Sequence, residues 1–191
     1  MRAVLAFLAV VVIVTPALAA DDTNPAWAAL VKGCHVALIR HGNAPPGYGG
    51  DPPGYRLDDC TTQRNLDDKG REQARALGEE FRKRGVRVEK ILVSPFCRCI
   101  ETGELMAVGP VEKSMALLPD FGPSPVRFLA LKDIVSAWQG PGTLVLVTHA
   151  LTIRPFVGFL PNQADAIVLQ PSRTNPRGGD FVGKVTAEGK P

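Results

Sequence analysis

The sequence of 191 residues is poor in aromatic side chains and in surplus charge. Phe, Trp and Tyr make up 6% of the chain, which is too few for the stacking platforms that bind single-stranded nucleic acid. The formal net charge is +3, from 22 Lys and Arg against 19 Asp and Glu. Because so small a surplus does not favour nucleic-acid binding, we expect no nucleic-acid partner.

Long hydrophobic runs are missing except at the amino terminus. Residues 3–14 are apolar throughout, but this run is short for a membrane span of about 20 residues. A positive Arg2 precedes it, and residues 17–19 supply the small side chains that a signal peptidase recognises. We therefore predict a signal peptide over 1–19, a periplasmic or secreted location, and no stable membrane association after cleavage. An uncleaved membrane anchor is the alternative.

Cysteine and histidine are too few and too badly spaced for a metal site. The chain has four cysteines and three histidines. Cys97 and Cys99 are separated by one residue, a spacing that does not suit zinc, and no matching second pair exists. His35 and His41 would lie at opposite ends of one strand. We expect no metal and no other cofactor.

Short apolar runs alternate with helical patterns from residue 20 onwards. Strands are predicted over 34–40, 90–93, 143–148, 165–170 and 181–186, and helices over 68–84, 95–107, 126–138 and 152–159. A long loop is predicted over 43–63, which is rich in Pro, Gly and Asp. This alternation predicts an α/β three-layer sandwich with a mostly parallel central sheet, formed by a single domain over 20–191.

Basic side chains stand at three predicted strand ends. Arg40 and His41 end the first strand, Arg98 lies in the first turn of the helix that Ser94 is expected to cap, and His149 follows the third strand. Ligands in such sheets bind beyond the carboxyl ends of the strands. Guanidinium groups match phosphate oxygens, and they favour a neutral imidazole that can act as a nucleophile. The pattern predicts a site for phosphoryl chemistry.

Four sequence motifs carry a family resemblance: LIRHG at 38–42, NLDDKGREQARALG at 65–78, SPFCRCIET at 94–102 and VTHA at 147–150. With them the chain resembles an exported bacterial-type member of the histidine phosphatase superfamily, which has the phosphoglycerate-mutase-like fold. The resemblance implies that His41 is phosphorylated during turnover. It also implies that Arg40, Arg98 and His149 hold the phosphoryl oxygens.

The sequence indicates the remaining site residues less specifically than the basic residues of the motifs. The family's proton donor is an acid after the second strand–helix unit, and Asp120 is our candidate for it, with Glu112 as an earlier alternative. Arg64 is the first choice for an additional phosphate or substrate contact. Thr148 stands where the family usually has glycine, which adds a hydroxyl group before His149.

The positions of the cysteines relative to the pocket favour one disulfide. Cys60 lies in the long loop that leaves the pocket edge, and Cys97 lies near that edge. Cys34 begins the first strand, at the far end. Cys60–Cys97 is therefore the preferred pair, in keeping with an oxidising compartment.

Together these observations predict a metal-independent phosphomonoester hydrolase that acts through a phosphohistidine intermediate. Its partner is expected to be a small phosphorylated substrate, such as a phosphosugar or an envelope phosphate. A phosphomutase is one alternative, and a phosphate-binding protein without turnover is another.

Overall fold

The computed structural model describes residues 24–45, 50–119 and 125–187. The predicted signal peptide at 1–19 lies outside the described residues. The elements in chain order are α1 Pro25–Lys32, β1 Val36–Arg40, α2 Asp68–Lys83, β2 Val88–Val93, α3 Cys97–Met106, β3 Val111–Lys113, α4 Val126–Ser136, β4 Thr143–Thr148, α5 Ala150–Val157, β5 Ala166–Pro171 and β6 Gly179–Val185. Short 3₁₀ turns occupy Cys60–Thr62 and Met115–Leu117.

The strands form one sheet in the order β3-β2-β4-β1-β5-β6. β4 pairs in parallel with both β1 and β2, and β3 is parallel to β2. β5 runs antiparallel to β1 and to β6. The register sets Arg40 beside Thr148, and Val93 beside Val147. The carboxyl ends of β1, β2 and β4 therefore meet at one edge of the sheet.

The central strands are buried on both faces, which explains their continuous apolar sequences. In β1, Ala37 and Ile39 face a core shared with α1, α2 and α3. Val36 and Leu38 face a second core shared with α4 and α5. The predicted three-layer sandwich with a mostly parallel sheet is thus confirmed.

Helix α2 begins where the sequence places an acidic cap. The Asp67 carboxylate accepts a hydrogen bond from the Gly70 amide at 2.8 Å, which satisfies a free N–H of the first turn. A side chain at Gly42 would overlap the Gly70 backbone. These two glycines therefore allow the segment after β1 to pack directly against the start of α2.

Several element boundaries differ from the predictions. α3 begins at Cys97 after Phe96, without a side-chain cap, so the expected cap by Ser94 is wrong. The three-residue strand β3 was too short to be predicted from its pattern. α5 begins at Ala150 and tolerates Pro155 in its interior. Within the described residues, no helix has both the length and the apolar character needed to cross a membrane.

Candidate active site

A cavity of about 430 Å³ opens at the shared edge of β1, β2 and β4. Its charged and titratable lining residues are Arg40, His41, Asp51, Arg64, Arg98 and His149. Tyr55, Pro119 and Leu151 supply apolar surface to the same cavity. Residues that are more than 100 positions apart in the chain thus share one pocket, and five of the six charged or titratable residues listed above are Arg or His.

His41 is held at the end of β1 with a defined tautomer. Its amide donates to the Thr148 carbonyl at 3.0 Å, which continues the pairing of β1 with β4. Its Nδ1 lies 2.8 Å from the Gly42 carbonyl oxygen. A carbonyl can only accept, so Nδ1 carries the hydrogen and Nε2 retains its lone pair.

The surroundings of His41 keep its ring neutral. Burial first, and then the charges of Arg98, Arg40 and Arg64, lower its pKa from 6.5 to about 3. The hydrogen bond to Gly42 acts in the opposite direction but is outweighed. His41 therefore keeps an unprotonated nitrogen across the whole physiological pH range.

His149 is neutral for similar reasons but has the opposite tautomer. Burial is the largest cause that holds its pKa well below the usual value, and the charge of Arg98 adds to it. Arg98 Nη2, which can only donate, lies 3.4 Å from Nδ1, so Nε2 carries the hydrogen. Nε2 lies 2.9 Å from Ser94 Oγ and donates to it. The rings of His41 and His149 are 5.4 Å apart.

Each of the three pocket arginines is anchored through its terminal nitrogens. Arg40 Nη1 donates to the Pro161 carbonyl at 2.8 Å, and Arg64 Nη1 donates to the Ala44 carbonyl at 2.6 Å. Arg98 forms a two-bonded ion pair with Asp51. The Nε atoms of all three arginines are buried and, within the described part of the chain, have no hydrogen-bond partner.

Residues of the SPFCRCIET motif hold Arg98 and His149 in place. The Phe96 ring lies 4.2 Å from the Arg98 guanidinium carbon and 5.1 Å from the His149 ring. The Thr102 hydroxyl donates to the Arg98 carbonyl at 2.7 Å and accepts from the Gly42 amide at 3.1 Å. Thr102 thereby ties α3 to the segment that follows His41.

The thiol beside His149 does not compete as a nucleophile. Cys99 Sγ lies 3.6 Å from His149 Nε2, but burial raises the pKa of Cys99 to about 12. The thiol therefore stays protonated. Over the ranges that the structure describes, no three His, Cys, Asp or Glu side chains are grouped so that they could hold a metal ion.

Comparison with known proteins relates this pocket to a family. Residues 36–119 match the profile of the histidine phosphatase superfamily, branch 1. Over this segment the chain is similar to the histidine phosphatase superfamily. The matched segment contains His41 and Arg98, and the prediction of a histidine-phosphatase-type enzyme is confirmed at the level of the family. No curated protein matches the sequence closely enough to be compared.

Solved structures of the superfamily share the fold. The protein histidine phosphatase SixA complexed with tungstate is 18% identical, with a TM-score of 0.58 over 80% of this chain and 97% of that chain. The product of open reading frame Rv3214 from Mycobacterium tuberculosis is 15% identical, with a TM-score of 0.60 over 80% and 98%. A mutant phosphoserine phosphatase from Entamoeba histolytica, in complex with phosphoserine, is 14% identical, with a TM-score of 0.54 over 81% and 98%. At such identities the likeness establishes the fold.

The structure brings most of the predicted site residues together. Arg40, His41, Arg64, Arg98 and His149 all line the one cavity. The candidate proton donor Asp120 lies outside the described residues, so its role stays a prediction.

Two further residues that the sequence pointed to, Glu112 and Thr148, have structural roles. Glu112 is on β3, where its carboxylate pairs with Lys90 at 2.9 Å on the surface. The Thr148 hydroxyl donates to the Leu117 carbonyl at 2.6 Å, so it fastens the end of β4 to the turn at Met115–Leu117. The departure from the family's glycine therefore serves the scaffold.

Two polar residues of the site were not predicted. Asp51 lies in the long loop among Pro and Gly residues, where no motif or periodicity distinguishes one acid from another. Ser94 was interpreted as a helix cap, but its hydroxyl bonds His149 instead. The resemblance offered a signal for Ser94, which belongs to the SPFCRCIET motif, whereas the sequence offered none for Asp51.

A disulfide joins the long loop to the helix that carries Arg98. Cys60 is bonded to Cys97, the first residue of α3, as the sequence analysis preferred. The Cys97 amide also donates to Gln63 Oε1 at 2.9 Å. Covalent and hydrogen bonds thus fasten the loop that contains Asp51 and Arg64 beside Arg98.

Removing this disulfide should weaken the fold and the pocket together. The double substitution Cys60→Ser and Cys97→Ser removes a cross-link between residues that are 37 positions apart in the chain. We expect the free energy of unfolding to fall by about 2–4 kcal/mol. Urea denaturation measures this loss. Cys34→Ser is the matched control, since Cys34 is an exposed free cysteine. Equal stability of the double variant and the control would contradict the proposed role of the link.

The lowered pKa of His41 predicts acid sensitivity. Below about pH 6.5 the unfolded chain takes up a proton at this histidine while the folded chain does not, so the free energy of unfolding falls as the pH falls. A folded pKa of about 3 corresponds to a loss of roughly 4–5 kcal/mol by pH 3. Urea denaturation at several pH values should show a shallower pH slope for His41→Asn than for the wild type. Parallel slopes would contradict this assignment.

Proposed function

We propose that this protein is a phosphomonoester hydrolase in which His41 is the nucleophile and carries the phosphoryl group as an intermediate. Arg40, Arg64, Arg98 and His149 surround the phosphoryl oxygens. The reaction uses no metal and no other cofactor, because the cationic side chains supply the charge stabilisation that phosphoryl transfer needs.

The observation that carries the proposal is the set of three unpartnered guanidinium nitrogens. Arg40, Arg64 and Arg98 each have a buried Nε without a hydrogen-bond acceptor in the described structure. An unsatisfied buried donor costs about 1–3 kcal/mol, and more when the group is charged. A tetrahedral oxyanion offers such donors several acceptor oxygens together with a compensating negative charge.

The first chemical step forms the phosphoenzyme. The His41 Nε2 lone pair attacks phosphorus in line, the new P–N bond forms, and the bond from phosphorus to the ester oxygen breaks. The Nδ1 hydrogen bond to Gly42 holds the ring in the tautomer that this attack requires. The departing oxygen takes a proton from a carboxylic acid, for which Asp120 is the candidate.

The second step returns His41 to its resting form. Water attacks phosphorus, its proton passes to the same carboxylate, and the P–N bond breaks to release inorganic phosphate and neutral imidazole. Because His41 stays unprotonated down to a pH of about 3, mildly acidic conditions can protonate the carboxyl donor without disabling the nucleophile. The site is therefore suited to activity below neutral pH.

The size of the pocket and the similar structures support a proposal for the substrate class. A cavity of about 430 Å³ accommodates a phosphoryl group with a small leaving group. The similar structures contain a protein histidine phosphatase with bound tungstate and a phosphoserine phosphatase with phosphoserine. We take small phosphomonoesters, phosphosugars among them, as the substrates, and phosphohistidine in a protein as the class to test beside them.

The nucleophile can be tested directly. Purified protein is assayed for phosphate release from p-nitrophenyl phosphate, a sugar phosphate, phosphoserine and a phosphohistidine peptide, beside His41→Ala. We expect the variant to lose roughly 10³-fold or more in kcat/KM, because the substitution removes the proposed nucleophile. The matched control is His35→Asn, since His35 lies at the opposite end of β1 and bonds the Gly33 carbonyl.

Three outcomes would contradict the proposal in different ways. Phosphate release that survives His41→Ala would exclude this nucleophile. Tight phosphate binding with no release from any ester would identify a binding protein. Transfer of the phosphoryl group to a second sugar hydroxyl, in preference to water, would identify a mutase.

We further propose that the protein is exported. The amino-terminal pattern at 1–19 and the Cys60–Cys97 disulfide support this location, since disulfides persist in oxidising compartments. Sequencing of the amino terminus of the protein recovered outside the cytoplasm should begin at Ala20. Recovery from the cytoplasm with Met1 or Arg2 at its amino terminus would overturn this proposal.

A further inference from the structure

We propose that Asp51 is a positioning residue for Arg98, which holds one edge of the guanidinium group so that the other edge faces the phosphoryl group. The proposal rests on the proposed function, because it concerns how that site binds its oxyanion. It adds to the site a loop residue that the family motifs do not contain.

The ion pair between Asp51 and Arg98 is two-bonded and buried. Oδ1 accepts from Arg98 Nη1 at 2.8 Å, and Oδ2 accepts from Nη2 at 3.1 Å. The two side chains are 8% and 3% exposed, respectively. Oδ1 also accepts from the Arg64 amide at 3.0 Å. One carboxylate therefore fixes the end of one pocket arginine and the backbone of another.

The bonds of Arg98 show which edge remains for a ligand. A guanidinium group has five N–H bonds, two on each terminal nitrogen and one on Nε. Beyond Asp51, Nη1 donates to the Arg64 carbonyl at 3.2 Å, and Nη2 faces His149 Nδ1 at 3.4 Å. Nε is buried and unpartnered. The Nε–H, which Asp51 does not contact, is therefore the donor left for a phosphoryl oxygen.

A carboxylate so close to an anion site could instead compete with the ligand. A competing carboxylate would have to leave Arg98 before the substrate could bind. Two features favour positioning. Asp51 occupies the Nη1 and Nη2 edge while the unpartnered Nε belongs to the other edge. Its second bond, to the Arg64 amide, would be lost for no gain if the carboxylate moved away.

The two interpretations predict opposite changes in anion affinity. For Asp51→Asn, positioning predicts that the dissociation constant of orthophosphate, measured by calorimetry, rises about tenfold, and that kcat/KM falls about 10- to 100-fold. Competition predicts that the affinity for orthophosphate increases. Asp58→Asn is the matched control, because Asp58 is an exposed carboxylate in the same loop, 3.6 Å from Arg56.

A double-mutant cycle separates positioning from a general loss of stability. If Asp51 acts through Arg98, Asp51→Asn should change kcat/KM and orthophosphate affinity less than twofold in an Arg98→Lys background. A merely structural role would give the same loss in both backgrounds, and that result would overturn the proposal, as would tighter orthophosphate binding. The binding measurements stay informative even if no ester is hydrolysed, so a failure of the proposed function is distinguished from a failure of this inference.

Discussion

The mutual repulsion of three guanidinium groups in one buried pocket is the constraint on which the site depends. Arg40, Arg64 and Arg98 lie near enough that their charges lower the pKa of His41, and like charges in a poorly solvated space oppose folding. Each group is therefore held by the rigid acceptors around it, two by backbone carbonyls and one by Asp51. The same repulsion favours the binding of an anion in the pocket and disfavours a protonated histidine ring there.

The architecture supplies the rigidity that this arrangement requires. The parallel pairing of β4 with β1 and β2 sets three strand ends side by side. The loop after β1 packs against α2 through Gly42 and Gly70, and the Cys60–Cys97 disulfide fastens the long loop to α3. Because side chains on rigid elements keep their orientation, the cationic groups can be brought together without an anion present.

Fixed hydrogen-bond partners determine the neutral tautomers of the two histidines. His41 is set by the Gly42 carbonyl, and His149 is set by Arg98 on one side and Ser94 on the other. Neither histidine has a carboxylate among these hydrogen-bond partners. An acidic partner would raise the pKa of the imidazole, whereas a nucleophile needs the free lone pair. The site therefore favours the neutral form of both rings.

Much of this protein could be predicted from its sequence, because the decisive information was local. In the sequence, the buried parallel strands are visible as continuous apolar runs and α2 as a helix with one apolar face. The ends of the strands are marked by Arg40, His41 and His149. Boundaries failed where tertiary contacts outweigh local preference: Ser94 bonds His149 instead of capping α3, and β3 is a strand only because β2 lies beside it.

The sequence by itself determined the fold class, the principal basic residues and the favoured disulfide, since each depends on the order and spacing of residue types along the chain. Only the tertiary structure decided the role of Asp51, the tautomers of both histidines and the unpartnered edges of the arginines. Apart from the contact of His41 with its neighbour Gly42, these features depend on distances of about 3 Å between atoms from separate elements, and no pattern within a segment encodes such distances.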